Sequence, residues 1–229
     1  MADSSSLSIG FLLFPGVTQL DLTGPYEVFV RAPGAQVHLI WKQIEPVISD
    51  RGLAILPTAT LEHCPGLDVI CVPGGPGQID LMEDDAILHF LRQKADEVKL
   101  VTSVCTGSLV LGAAGLLQGY KATTHWGSLD QLALLGAQPV DARVVHDGNR
   151  ISGAGVTSGI DFALTVVAGL YGETVAQEIQ LQLEYDPEPP FNSGSPRSAS
   201  TELVQIVRFK QTEFIEKRRQ ATLRAAARL

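Results

Sequence analysis

Apolar runs of strand length alternate along the chain with segments in which apolar residues return every three or four positions. That alternation predicts an α/β fold built on a largely parallel sheet. Leu7–Phe14 is the first β-rich run, closed by Pro15-Gly16, and Gly24-Pro25 is expected to open a short helix. Strands follow at 36–42 and at 67–72, the second continuous enough to be central, with a weakly alternating edge element at 54–61 between them. Helical spacing at Ile87, Leu88, Leu91, Ala95 and Val98 leads to a strand at 100–104 and a helix at 107–117. A short β segment at 122–125 precedes a helix around 129–135. Asp147-Gly148-Asn149 reads as a hairpin turn between 143–146 and 150–152, and two apolar helices, 160–171 and 174–185, break near Gly172.

The pattern changes at Asp186. Residues 186–196 hold four prolines and no apolar period, and from about Ala199 a polar helix runs on. Residues 1–185 are therefore read as one α/β domain. Residues 186–229 are read as a Pro-rich segment and a C-terminal helix packed on that domain through Leu203, Val207 and Phe214.

Composition narrows the function classes. The chain has 229 residues, 45% of them hydrophobic, which suits an ordinary globular protein with ample core. Lys and Arg number 17 against 25 Asp and Glu, a net charge of −8 that argues against nucleic-acid and anionic-membrane partners. The basic C-terminal helix reads as a solvated face with cations near its negative end. Leu100–Tyr120 carries no charge, but its four glycines and polar residues fit a buried strand and helix better than a membrane span. Met1–Ser6 lacks the order of a signal peptide, and three cysteines without a CxxC frame suggest a reduced, cytoplasmic setting.

Cys105 directly follows a predicted buried strand and precedes Thr106-Gly107-Ser108, where a helix begins. Such an elbow exposes a side chain above the carboxyl edge of the sheet, where open α/β sheets place ligands. Free N–H groups and the helix dipole are expected to favour a thiolate there, the nucleophilic form, although an inert buried cysteine is the alternative. Pro73-Gly74-Gly75-Pro76-Gly77 ends the strand expected beside it, with backbone N–H groups suited to an oxyanion hole or simply to a chain reversal. Asp21, between Leu20 and Leu22 ahead of a helix, is either a capping group or a catalytic acid. Against a thiolate, its pKa would rise by like-charge repulsion and it would serve as general acid and base. His125 ends a short strand near the same edge, where it orients something in the crevice or makes a structural hydrogen bond. Cys71 reads as core, Cys64 is given no role, and no H-x-E follows that would complete a Cys-His-Glu triad.

At these residues the chain resembles the ThiJ/PfpI superfamily, which is class I glutamine-amidotransferase-like, and within it the branch that hydrates isocyanides. The resemblance rests on FLLFPGVTQLDLTGP (11–25), LDVICVPGGPG (67–77), VTSVCTGSLVLGAAGLLQG (101–119), ATTHW (122–126), GVTSGIDFAL (155–164) and LQLEYDPEPPFNSGSP (181–196). It implies a flavodoxin-like sandwich that forms a homodimer. Cys105 maps onto the nucleophile, Asp21 onto the acid/base residue, Thr106 onto the positioning residue beside the nucleophile, and Gly75 onto the loop residue that lends backbone polarity to the substrate. The activity implied is a cysteine-dependent lyase reaction in which an isocyanide and water give an N-substituted formamide through a covalent thioimidate, with no metal or organic cofactor. A small apolar pocket would suit such an uncharged substrate. The protease branch has Glu where Asp21 stands and His where Thr106 stands. Glyoxalase or hydrolase chemistry on a small carbonyl, and a non-enzymatic redox-sensing or regulatory role, are the competing readings. The roughly thirty residues after the Pro-rich segment are too few for the paired DNA-binding module of a third branch.

Overall fold

The computed structural model describes residues 7–229; Met1–Ser6, and the expectation about a leader placed on them, lie outside the described residues. Its strands are β1 (Ser8–Leu12), β2 (Gln36–Trp41), β3 (Val47–Ile48), β4 (Ala54–Ile55), β5 (Ala59–Thr60), β6 (Val69–Val72), β7 (Leu100–Val104), β8 (Lys121–Ala122), β9 (Gln138–Pro139), β10 (Val144–Asp147) and β11 (Arg150–Gly153). Its α-helices are α1 (Gln19–Phe29), α2 (Gln78–Leu81), α3 (Asp85–Glu97), α4 (Gly107–Ala113), α5 (Gln131–Leu134), α6 (Ser158–Tyr171), α7 (Glu173–Gln182) and α8 (Thr201–Ala226).

Seven strands form the main sheet in the order β10-β11-β7-β6-β1-β2-β5. All neighbours run parallel except β10 and β11, which pair antiparallel across the expected hairpin. The core strands read as unbroken apolar runs because helices cover both faces of a parallel sheet. All four residues of β6 are buried, and so are Ile9 to Leu12 of β1. One helical group comprises α1, α6 and α7; α2 to α5 and α8 form the other. Phe29 bridges the sheet to the first group, its ring 5.9 Å from Phe11 and 6.2 Å, edge-on, from Phe162. Helices α1 and α6 approach closely: a Cβ on Gly159 would lie 2.8 Å from Pro25 Cδ.

After β1 the chain passes to β2 on one side, and β6 then enters on the other side of β1. The sheet therefore has its switch point between β1 and β6, at whose carboxyl ends an open α/β fold binds ligands. Three loops converge there: the one after β1 that enters α1, the glycine-rich one after β6, and the elbow after β7.

Several boundaries differ from the sequence reading. Helix α1 begins at Gln19, with Pro25 inside it, so Gly24-Pro25 does not open the helix. The Pro25 ring, which cannot donate a helical hydrogen bond, packs close against Gly159 of α6. The element expected at 54–61 is divided by Pro57, β4 pairing with β3 in a separate ribbon and β5 forming the sheet edge. Helix α4 stops at Ala113 instead of Leu117, because Gly115 takes a φ of +78°. The β segment expected at 122–125 is only Lys121–Ala122, paired with the unforeseen β9. The turn α2 was also unforeseen. Among the described residues no helix is long and apolar enough to cross a membrane, and the uncharged stretch 100–120 divides into β7 and α4.

Candidate active site

Cys105 stands one residue past β7 with φ at +55°, a left-handed conformation that a non-glycine residue rarely adopts. The backbone is tied down at this residue from three sides. The Cys105 N–H donates to the Gly153 carbonyl at 3.0 Å. The Cys105 carbonyl accepts from Thr124 Oγ1 at 2.8 Å and from Ser108 Oγ at 3.1 Å. Gly107 completes the elbow, since a Cβ there would sit 1.9 Å from the Val72 carbonyl oxygen. Thr124 and Ser108 carried no sequence signal beyond their proximity to the candidate residues.

Asp21, in the first turn of α1, is fully buried, and its side chain interacts with that of Cys105. Its Oδ2 accepts the Gly74 N–H at 3.0 Å, while Oδ1 is buried without a hydrogen-bond partner. No side-chain cap of α1 is formed, so the capping alternative for Asp21 is overturned. Burial pushes the Asp21 carboxyl up to about 7, against the lowering effect of its bonds to Cys105 and Gly74. The direction matches the sequence reading, but the leading cause is desolvation, not repulsion by a thiolate.

The Cys105 thiol also moves upward, well above its usual range, first by burial and then by the charge of Asp21. The resting thiolate expected from the helix dipole is therefore corrected. The Thr106 N–H and the Arg218 cation favour the ionised sulfur, yet they do not outweigh desolvation. The two groups are coupled, so protonation of each depends on the other.

The glycine-rich loop positions side chains. Gly75 has φ at +133°, and a Cβ on it would lie 2.3 Å from the Thr18 nitrogen, so only glycine fits. Its N–H donates to Thr106 Oγ1 at 3.1 Å, and this engagement leaves the hydroxyl proton of Thr106 to donate elsewhere. The Gly75 N–H is thus engaged by Thr106.

These groups open into a cavity of about 540 Å³. Cys105, Thr106 and Gly75 form its floor, Thr18, Gln19, Asp50, Arg51 and Pro76 one part of the wall, and His125, Val156, Gln211, Phe214 and Arg218 the remainder. The small apolar pocket expected from the sequence is instead mixed, with apolar Val156 and Phe214 beside several polar and charged side chains. His125 Nδ1 accepts the Gly127 N–H at 3.2 Å, and burial pushes the imidazole down to about 4, so it faces the cavity neutral. Cys71 is fully buried in β6, its thiol pushed up to about 12 by desolvation. The sequence reading missed α8 as a wall of the site. A usable signal was present: Arg218 interrupts the buried stripe of Ala221, Thr222 and Ala225 at helical spacing.

A parallel sheet with a strained cysteine above its carboxyl edge and a buried carboxyl against the sulfur defines a class of cysteine-centred α/β proteins. The family model described as "DJ-1/PfpI family" matches residues 7–169, and the chain belongs to that family. The chain is 58% identical over 224 residues, 98% of each chain, to a protein named isonitrile hydratase from Pseudomonas putida. A ThiJ/PfpI family protein from Pseudomonas syringae, solved by crystallography, superimposes with a TM-score of 0.92 at 46% identity, covering 95% of this chain and 90% of the other. A Parkinson disease protein 7 homolog from Danio rerio is 32% identical over 177 residues, covering 75% of this chain and 94% of its own.

Proposed function

We propose that this chain hydrates isocyanides, R–NC, to N-substituted formamides, R–NH–CHO. The observation that carries the reading is the buried Asp21 carboxyl set against Cys105, which lines the cavity, with that carboxyl poised near neutral pH. The full-length similarity to the Pseudomonas putida isonitrile hydratase supports it.

The active form of the pair holds one proton. As an isocyanide enters, Asp21 takes the Cys105 proton and the sulfur attacks the terminal isocyanide carbon. Asp21 returns that proton to the same carbon, giving the thioimidate R–N=CH–S–Cys105. Water then adds to this carbon, losing a proton to the Asp21 carboxylate, which passes it to the nitrogen. Collapse of R–NH–CH(OH)–S–Cys105 forms the formamide carbonyl and expels the sulfur, which recovers its proton. The Thr106 hydroxyl, oriented by Gly75, is placed to donate to the substrate nitrogen as it becomes basic. Side chains and water supply every atom that moves. The same reading makes the chain a cytoplasmic homodimer acting on a small molecule, with no nucleic-acid partner.

The test is a product assay. Purified protein with cyclohexyl isocyanide should release N-cyclohexylformamide by mass spectrometry, and Cys105→Ala should release none while keeping the native circular dichroism spectrum. Turnover of methylglyoxal without formamide production would favour glyoxalase chemistry. Turnover of neither, with peroxide-dependent capture of a partner at Cys105, would favour a sensor.

A further inference from the structure

Arg218 is a cation in an unusual position. Its residue is only 6% exposed, in the stripe of α8 that packs against the domain, and it lines the cavity above Cys105. A guanidinium has five N–H donors. The one hydrogen bond formed by the Arg218 guanidinium among the described residues is from Nη1 to Ser128 Oγ at 2.8 Å, and Nε is buried with no partner. No Asp or Glu among the described residues forms an ion pair with it. The Phe214 ring lies against the guanidinium, 4.6 Å from Cζ to the ring centroid, and fixes its plane. Burying a cation without a counter-anion is costly unless an anion arrives during function. The other charged groups on the wall do not fill that role. Asp50 is held by Arg51 at 3.7 Å and by Thr18 Oγ1 at 3.3 Å. His125 is neutral.

We propose that Arg218 is the anchor for a carboxylate carried by the substrate, so that the preferred isocyanides are isocyano acids rather than neutral alkyl isocyanides. This rests on the hydration reading above. The carboxylate accepts from the Arg218 fork while the isocyano carbon reaches Cys105, and Phe214 and Val156 cover the connecting carbons. The acidic molecule as a whole does not attract such a substrate, so selectivity arises from the desolvated contact inside the cavity.

The test compares isocyanoacetate with its methyl ester, which has the same connectivity to the isocyano group but no charge. The wild-type protein should favour the acid by about tenfold or more in kcat/KM, chiefly through KM. Arg218→Met should bring the acid-to-ester ratio close to one, and Arg218→Lys should keep part of the preference. Should Arg218→Met fail to fold, the wild-type ratio and its reduction in Arg218→Lys decide the matter. A wild-type preference for the ester, or an unchanged ratio in Arg218→Met, overturns the anchor. So does an equal loss on both substrates with a shifted pH profile, which would make the guanidinium a partner of the sulfur. Hydration of cyclohexyl isocyanide without hydration of isocyanoacetate sinks the anchor alone; hydration of neither sinks the proposed function as well.

Discussion

At the scale of the residue, the site depends on a carboxyl kept out of water. With its pKa raised from 3.8 to about 7, Asp21 is protonated in the folded chain at pH values where it is ionised in the unfolded one. The folded state then binds more protons than the unfolded state, so this group lowers stability as pH rises through that window. Asp21→Asn should therefore raise the melting temperature at pH 8, with the gain vanishing toward pH 4, as a thermal scan across pH would register. The same substitution removes the carboxyl proposed to take the sulfur proton, and kcat/KM for cyclohexyl isocyanide should fall about 10²–10⁴-fold. Under the proposed mechanism the singly protonated pair is the active form, so kcat/KM should rise with pH on an acid limb near 7. A flat profile across pH 6–8 would contradict the assignment. Cys105 and Asp21 were legible in sequence because each lies where the chain passes from the carboxyl end of a strand into a helix. Their protonation was not legible, since a helix dipole can be inferred from neighbours whereas desolvation depends on packing from distant parts of the chain.

At the scale of the element, the elbow is a strand end and a helix start forced together. Gly107 permits the contact with the Val72 carbonyl, and Thr124 and Ser108 hold the strained residue from behind. Gly107→Ala should cost upward of about 3 kcal/mol in chemical denaturation, or prevent accumulation of folded protein, because the clash is with backbone. Thr124→Val removes one donor to the Cys105 carbonyl. It should lower stability by about 1–3 kcal/mol and reduce kcat more than it changes KM, a split that steady-state kinetics resolves. The strands were readable because parallel, doubly covered strands are continuous apolar runs, and the hairpin because its turn chemistry is local. The start of α1 was misread because Pro25 suits a first turn by itself. Only its tertiary contact with Gly159 shows why it is tolerated inside the helix.

At the scale of the whole molecule, the cavity joins segments from opposite ends of the sequence. Thr18 and Gln19 stand near one end, and Gln211, Phe214 and Arg218 come from α8. That helix is held by its buried face and by ion pairs of Arg224 with Glu83, Arg228 with Asp85 and Arg219 with Asp130. Ala221 is fully buried in this contact. Ala221→Glu should destabilise by about 3 kcal/mol and abolish turnover together, because it lifts the wall that carries Phe214 and Arg218. Denaturation monitored by fluorescence, with activity measured in parallel, would check this. The helix itself was legible from its sequence. Its part in the site was not, because a basic run on a polar helix looks the same whether it faces water or a cavity.

The proton that Cys105 keeps at rest has a chemical consequence. Mercapto groups react with peroxides and alkylating agents through their anions, so burial that raises the Cys105 thiol above its usual range also slows these reactions. Iodoacetamide and hydrogen peroxide should consume it slowly at neutral pH, although it is the proposed nucleophile.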